Sequence, residues 1–168
     1  MVEFTLQIVL QIVQTIALIV GIVYYITIMR NAQKARRYEN LQWFLNDRTN
    51  EDVMLQYTFV SNLEWEDYDD FERRYGIKTN PDAWARIYSY LVRFDDIGLI
   101  LKKGHIDIDI LYEFTGRMIQ SLWKKYQPII EERRRRVDPT HFNWFQYLVE
   151  EMNKESKRRG DKLLPELT

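Results

Sequence analysis

The feature that most constrains this chain is an uncharged stretch of 26 residues, from Phe4 to Met29, near its N-terminus. A helix rises about 1.5 Å per residue, so this stretch would reach about 39 Å, whereas the hydrocarbon core of a bilayer is about 30 Å thick. Buried helices of small soluble domains seldom run this long without a charge. The stretch therefore predicts an uncleaved transmembrane anchor, which we assign to residues 1–29.

The charges on either side of the stretch predict its orientation and argue against a cleaved signal peptide. A signal peptide has basic residues before its apolar region, whereas here Glu3 precedes the stretch and basic residues follow it. These basic residues are Arg30, Lys34, Arg36 and Arg37. Because basic residues stay on the cytoplasmic side, we expect a single-pass protein of the cell membrane with its N-terminus outside and its remainder in the cytoplasm. The four cations would then lie at the lipid surface.

Amides within the apolar stretch predict a helix–helix interface, which we call the glutamine stripe. Its members are Gln7, Gln11, Gln14, Ala17, Leu18 and Gly21. The three glutamines are spaced i, i+4, i+7 and share one helical face, and Ala17 with Gly21 forms a small-xxx-small pair that allows close helix approach. A neighbouring helix, either of a second copy or of another membrane subunit, would pair these amides. Two alternatives stay open: Gln7 lies in the interfacial region with the other two tolerated singly, or the stripe lines a homo-oligomeric pore or sensor.

Charge and cysteine content exclude several classes of function. The chain has 24 basic and 25 acidic residues, and the part from Arg30 onward is formally neutral, so nucleic acid is not expected as a partner. The absence of cysteine excludes disulfides, thiolate zinc sites, cysteine-ligated iron–sulfur clusters and a cysteine nucleophile. We expect no cofactor.

The remainder of the chain predicts an all-α fold, with the anchor continuing into a cytoplasmic bundle of about five or six helices. We expect residues 30–48 to continue the anchor as a juxtamembrane helix, with Ala35, Tyr38, Leu41 and Leu45 facing the bundle core. Residues 49–160 would form the helical domain, and residues 161–168 a flexible tail. The connections are short, so helices adjacent in sequence are expected to pack as neighbours.

Capping residues predict where the first bundle helices begin and end. Thr49 with Asp52 resembles a weak capping box that opens a helix. An acidic segment then predicts a short helix closed by Gly76. Asn80 followed by Pro81 is a cap with proline at the first helical position, and that helix would end at Lys102-Lys103-Gly104.

Similar signals predict the last two helices. Asp107 or Asp109 would start one of them, and Pro128 would kink or restart it. Asp138-Pro139 has the same arrangement of a capping residue followed by proline, and it would open the last helix. The apolar face of that helix is expected to comprise Phe142, Phe145, Leu148, Val149 and Met152.

Two charged clusters are candidate docking surfaces. The acidic one comprises Glu64, Glu66, Asp67, Asp69, Asp70 and Glu72, and the basic one Arg133, Arg134, Arg135 and Arg136. Clustered carboxylates can bind divalent cations or do acid–base chemistry, but this spacing lacks the internal glycine of a calcium loop, and a solvated face or a dock for a basic partner is favoured. Four consecutive arginines spread around a helix, so they favour a helix end over one phosphate-binding surface, with partner binding as the alternative.

Histidine and buried-acid patterns give little support to an enzyme. His105 and His141 have no second histidine at i+3 or i+4, so capping and turn roles are favoured over a metal site. Asp95 lies near the core edge, where an arginine such as Arg117 could pair with it as a structural ion pair. No phosphate-binding glycine loop or serine–histidine pattern occurs, and we expect no catalytic activity.

Residues spread over most of the chain carry a resemblance to a known family. They are Phe94, Gly98, Leu99, Gly104-His105-Ile106-Asp107, Tyr112, Phe114, Trp123, Pro128-Ile129-Ile130, Arg133, Phe145, Leu148 and Glu150-Glu151. Over roughly residues 4–155 the sequence resembles domain-of-unknown-function family 4760, small prokaryotic proteins with one N-terminal membrane helix and a helical cytoplasmic domain. The resemblance implies that architecture and brings no catalytic residue with it.

Taken together, the sequence predicts a single-pass membrane protein that acts as an accessory or scaffolding subunit of a membrane assembly. Its expected partners are membrane lipid, another membrane subunit or a second copy through the glutamine stripe, and a cytoplasmic protein. One rival hypothesis is a membrane-tethered metal-dependent enzyme that uses the acidic cluster. The other is the homo-oligomeric pore or sensor.

Overall fold

The computed structural model describes residues 2–48 and 50–161 of the chain. Within these ranges it leaves out the side chains of residues 2–5, 33, 34, 36–38, 40, 41 and 43–48. The described residues form six helices: α1 (Val2–Arg48), α2 (Glu51–Asn62), α3 (Tyr68–Tyr75), α4 (Pro81–Lys102), α5 (Ile108–Arg136) and α6 (Asn143–Arg159). No strand occurs in the described ranges, so the all-α prediction is confirmed.

The chain divides into two compact units, Met1–Glu39 and Asn40–Thr168. The first unit belongs to α1, in which every side chain from Leu6 to Ala32 is exposed. By its length of 27 residues and its composition, this segment is able to cross a membrane. The hydroxyls of Thr15 and Thr27 donate hydrogen bonds to the carbonyls four residues earlier, so the helix satisfies these polar groups internally.

Several predictions fall outside the described part of the chain. The side chains of Lys34, Arg36 and Arg37 are outside it, and so are those of Tyr38, Leu41 and Leu45, which were predicted to face the core. Ala35, the one described member of that predicted face, is exposed. Thr49 and the tail from residue 162 onward are outside it as well. These predictions stay open.

The second unit is built around α6. Its largest interface is with α4 and its next largest with α5, while α2 packs on α4, and α3 packs on α5 and α4. The expectation that sequence neighbours pack together holds for α5 with α6 and for α3 with α4, whereas α4 and α5 are joined chiefly through α6. The reason is that α6 buries residues on a broad face: Phe145, Leu148, Val149, Met152, Glu155 and Ser156.

Aromatic side chains fill the core of this unit. Phe145 stacks on Phe94 of α4 at a centroid distance of 5.3 Å and meets Trp123 of α5 edge-on at 5.0 Å. A second group joins Trp65 and Phe71 to Tyr126 of α5. These contacts explain why a chain so rich in large rings folds as a bundle.

Local capping signals define α4 as predicted. The Asn80 side chain accepts a hydrogen bond from the Ala83 N–H at 3.2 Å, and Pro81 is the first helical residue. The helix ends at Lys102, and Gly104 has φ of 72°, a left-handed conformation that favours glycine. Both predicted ends of this helix are confirmed.

The start of α2 and both ends of α3 are also set by capping residues nearby in the sequence. The Asn50 side chain caps α2 by accepting from the Asp52 N–H at 2.9 Å, whereas Thr49, the predicted capping residue, lies outside the described residues. Asp67 caps α3 by accepting from the Asp70 N–H at 2.8 Å. Gly76 closes α3 as predicted.

The last two helices agree with prediction to different degrees. Asp107 precedes α5 as expected, and the helix continues through Pro128, which excludes the restart and leaves the kink as a prediction. α6 begins at Asn143, and the Asp138 carboxylate instead accepts from the N–H and hydroxyl of Thr140. The prediction that Asp138-Pro139 opens α6 is therefore wrong, because that carboxylate stabilises a turn before the helix.

Candidate functional site

The glutamine stripe lies on an exposed face of α1. All six members of the stripe are exposed. A Cβ added at Gly21 would meet no atom within 4 Å, so the small-residue positions are open to a second helix. Amides and small residues along one face are suited to interhelical hydrogen bonding at short axial distance. Of the four basic residues that follow, Arg30 is exposed.

The acidic cluster divides into exposed and engaged carboxylates. Glu64, Glu66, Asp67 and Asp69 are exposed. Asp70 is only 4% exposed and forms ion pairs with Arg73 and, at 2.9 Å, with Arg74. Burial opposes its ionisation, but the Glu66 N–H and these two arginines outweigh burial and hold the pKa of Asp70 below its usual value. Asp70 is therefore part of the structure of α3.

The four arginines at the end of α5 point to four different environments. Arg133 pairs with Glu72, and Arg135 pairs with Glu132. Arg134 donates to the carbonyls of His141 and Phe142 and to Gln146, at 2.7, 3.0 and 2.6 Å. Arg136 pairs with both Glu132 and Asp69. Each guanidinium thus has partners within the described bundle.

The acidic and basic clusters bind each other across α3 and α5, in a contact that we call the α3–α5 clasp. Arg136 lies 2.6 Å from an Asp69 oxygen, and Arg133 lies 3.0 Å from a Glu72 oxygen. Aromatic faces support both cations, since Arg133 lies 4.3 Å from the Trp84 centroid and Arg136 lies 4.7 Å from that of Tyr68. Neither cluster is therefore an isolated charged surface.

Tyr68 completes the clasp. Its hydroxyl donates to Glu72 at 3.0 Å. Burial and the neighbouring Glu72 carboxylate raise the pKa of Tyr68, so the phenol stays a neutral donor. The carboxylate of Glu72 thus accepts from both Tyr68 and Arg133, which fixes α3 against α5.

Sequence reasoning missed the role of Asp95. Instead of pairing with Arg117, one Asp95 oxygen accepts from the backbone N–H groups of Trp144 and Phe145 at 2.9 and 2.8 Å. The residue before α6, Phe142, has φ of 54° and no capping side chain, so α4 supplies the cap. Burial raises the pKa of Asp95, with the two N–H groups acting in the opposite direction. No short-range sequence pattern could have found this cap.

Gly98 makes this close approach possible. A Cβ at Gly98 would lie 2.0 Å from the Trp144 carbonyl oxygen, so only glycine lets the backbone of α6 come this near to α4. The glycine is one of the residues that carry the family resemblance. Asp95 and Gly98 together hold the start of α6 on α4.

The end of α2 is also capped by another helix. Tyr126 of α5 donates its hydroxyl to the Val60 carbonyl at 2.8 Å, and Lys125 donates to the Ser61 carbonyl. α2 has no basic residue in its own last turn. A cation and a phenol from α5 therefore satisfy carbonyls that the helix itself leaves open.

The two histidines lie apart. His105 is exposed in the turn after α4, whereas His141 is half-buried against the rings of Tyr88 and Phe142. Burial and then the positive charge of Arg133 lower the pKa of His141 to about 4. Among the described residues, no group of three or more His, Asp or Glu is arranged to hold a metal ion.

These observations define an all-helical protein in which a long, apolar N-terminal helix precedes a cross-braced helical bundle. The chain belongs to the family described as Domain of unknown function (DUF4760), whose model matches residues 11–152. The family resemblance noted from the sequence is thereby confirmed. No curated protein and no solved structure matches the chain.

Proposed function

We propose that this protein is a single-pass protein of the cell membrane that acts as an accessory or scaffolding subunit of a membrane assembly. In this proposal Leu6–Ala32 spans the bilayer, the N-terminus lies outside, and the bundle lies in the cytoplasm. The length and composition of that segment and the exposure of all its side chains support the placement. The basic residues that follow it support the orientation.

The observation that carries the proposal is the glutamine stripe. Gln7, Gln11 and Gln14 share one exposed face of a helix that is otherwise apolar. A hydrocarbon environment offers no hydrogen-bond partner to an amide, and an unsatisfied amide costs several kcal/mol by order of magnitude. A second helix that packs on this face would pair the amides, at a gain of about 1 kcal/mol for each interhelical hydrogen bond. The helix therefore favours assembly over a solitary anchor.

The bundle supports an interaction role rather than catalysis. Several charged side chains that could have formed a reactive cluster are engaged in holding helices together: Glu72, Asp95, Arg133, Arg134 and Arg136. The exposed carboxylates of Glu64 and Glu66 remain to contact a basic cytoplasmic protein, whereas that of Asp67 caps α3. We propose no catalytic step.

Extraction of the protein from its native membrane in mild detergent, followed by mass spectrometry of what co-purifies, tests this function. We expect a membrane partner or a second copy to co-purify with the natural chain. Gln11→Leu should lose that partner, whereas Val9→Leu on the opposite face of α1 should retain it. Recovery of the natural chain alone and monomeric would contradict the proposal. A change in ion conductance without loss of assembly would favour the pore instead.

A further inference from the structure

The face of α1 that carries the glutamine stripe continues along the helix with a regular spacing, and we call the whole face the α1 seam. Its positions are separated alternately by four and three residues: Gln7, Gln11, Gln14, Leu18, Gly21, Tyr25, Ile28 and Ala32. All of them are exposed, and α1 is helical throughout this range. This alternation is the a/d spacing of a heptad repeat, which presents one narrow row of side chains to a partner helix in a left-handed pair.

The glutamine amides of the seam differ from the hydroxyls in the same segment. Thr15 and Thr27 donate to the carbonyls of Gln11 and Val23, both at 2.8 Å, so these hydroxyls are satisfied within the helix. Among the described residues, the side-chain amides of Gln11 and Gln14 form no such bond. In hydrocarbon an amide without a partner is costly, so the partner must come from a second helix.

A second copy of the chain satisfies the seam because of the chemistry of the amide group. An amide has a carbonyl acceptor and two N–H donors, so it can pair with an identical group. Every copy inserts with the same orientation, so two copies lie parallel, and a two-fold axis along the bilayer normal places each seam residue opposite its counterpart. Three amide layers then form within about 11 Å of helix, from Gln7 to Gln14. A different subunit would have to present amides at the same three depths.

We propose that α1 forms a parallel, in-register pair with α1 of a second copy through the α1 seam. The inference rests on the proposed function and names the partner at the glutamine stripe. Beyond Gln14 the seam includes Leu18, Gly21 and Ile28, and the space around Gly21 is open. These residues are suited to close packing between helices, whereas a water-filled pore would need polar groups along this half as well.

Single-cysteine cross-linking in native membranes tests the inference, since the natural chain contains no cysteine. The test variants are Leu18→Cys and Tyr25→Cys in the seam. Their matched controls are Ile16→Cys and Val23→Cys, each two residues away on the opposite face and similarly exposed. On mild oxidation, both test variants should form a disulfide-linked dimer of twice the 20.5 kDa chain mass. The controls should form about tenfold less, because their side chains point away from the partner helix.

Co-expression of two differently tagged copies identifies the partner, since the cross-linked species must carry both tags. The inference is overturned by no dimer in the test variants, by equal yields in test and control, or by a dimer at Leu18→Cys alone. The last result would indicate an antiparallel or crossed pair, because Tyr25 lies about 10 Å further along the helix. A cross-link to a different protein would overturn the second copy as partner and leave the proposed function standing. Loss of the chain from carbonate-washed membranes would overturn both.

A second measurement tests whether the amides cause the pairing. In the Leu18→Cys chain, replacing both Gln11 and Gln14 by leucine should lower the yield of dimer about tenfold, because two layers of interhelical hydrogen bonds are lost. Replacing Val9 and Val13 by leucine on the opposite face is the control and should leave the yield unchanged. Equal yields in the two backgrounds would contradict pairing through the glutamines.

Discussion

Asp95 shows how a single residue can determine where a distant helix begins. The two N–H groups that it accepts from belong to residues 49 and 50 positions later in the sequence. Phe142, the residue in the capping position, has no side-chain oxygen to offer. Tyr126 plays the corresponding role at the end of α2. In this bundle, the start of α6 and the end of α2 are completed by neighbouring helices.

Replacement of Asp95 by alanine should lower the free energy of unfolding by about 1–2 kcal/mol, because it removes a cap and leaves N–H groups without an acceptor. Asp95→Asn should recover most of that loss, since an amide oxygen accepts the same bonds without the cost of burying a charge. Asp96→Ala, at the exposed neighbouring position, is the control and should be nearly neutral. Denaturant unfolding of the full chain in detergent, followed by tryptophan fluorescence, gives these values. Equal losses for Asp95→Ala and Asp96→Ala would disprove the capping role.

Gly98→Ala should cost about 3 kcal/mol, because the new methyl group would overlap the Trp144 backbone carbonyl and neither helix can yield without losing packing. Gly116→Ala is the matched comparison. The nearest atoms to its methyl group belong to the Tyr112 side chain rather than to backbone, and alanine gains about 1 kcal/mol of helix propensity. We therefore expect a loss below about 1 kcal/mol at Gly116. Thermal unfolding of both variants checks the difference, and a mild effect at Gly98 would show that α4 and α6 can separate.

At the scale of whole elements, α3 depends on the clasp. The helix has only 8 residues, too short to be stable by itself, and its contacts with α5 include the pairs Asp69–Arg136 and Glu72–Arg133. Phe71, 1% exposed, supplies its main apolar contact. α3 is thus held by one buried ring and a few charged contacts.

Loss of the Glu72 carboxylate should loosen α3. Glu72→Gln should weaken the contact with Arg133 by about 1 kcal/mol and speed amide exchange in Tyr68–Tyr75 about fivefold. Glu66→Gln, which changes an exposed carboxylate outside the clasp, should leave that exchange unchanged. Hydrogen exchange with mass spectrometry on the full chain measures both. The interpretation fails if the two variants behave alike or if added salt leaves the natural rate unchanged.

The elements also show which parts of the fold could be predicted. Asn80, Pro81 and Gly104 determine both ends of α4 within a few residues of each end, so the sequence pattern was sufficient. The start of α6 could not be found, since its cap comes from α4. The acidic and basic clusters were both visible in the sequence, but their mutual pairing depends on packing between helices that are about 60 residues apart in the chain. Helix ends that are set by nearby residues could be predicted from the sequence, whereas contacts between residues far apart in the chain could not.

At the scale of the whole molecule, one part of the candidate site could be predicted from the sequence and another part could not. The glutamine stripe rests on helical spacing alone and could be identified without a structure. The cap at Asp95 and the α3–α5 clasp needed coordinates, because each joins residues from two helices. Which helices pack against each other could not be predicted either, since the apolar face of α6 is compatible with packing on α4 or on α5.

The stability of the whole bundle should respond to mild acid through His141. Its pKa is lowered from 6.5 to about 4 by burial and by Arg133, so the folded state favours neutral imidazole. The resulting stabilisation is complete above about pH 6.5 and is lost as the pH falls through about 4. His141→Phe keeps the ring contacts and should flatten this part of the pH profile, whereas His105→Phe should not. Thermal unfolding across that range measures the effect, and parallel profiles for the natural chain and His141→Phe would refute it.

The position of α6 has a consequence for how the molecule is made. Synthesis proceeds from the N-terminus, so α1 leaves the ribosome first and α6 leaves it last. Until the residues beyond Asn143 emerge, Phe94 and Trp123 have no Phe145 to pack against, and the N–H groups that Asp95 accepts from do not yet exist. A nascent chain interrupted in this last stretch would carry uncovered apolar surface, and it is there that the quality-control machinery of the cell would act on it.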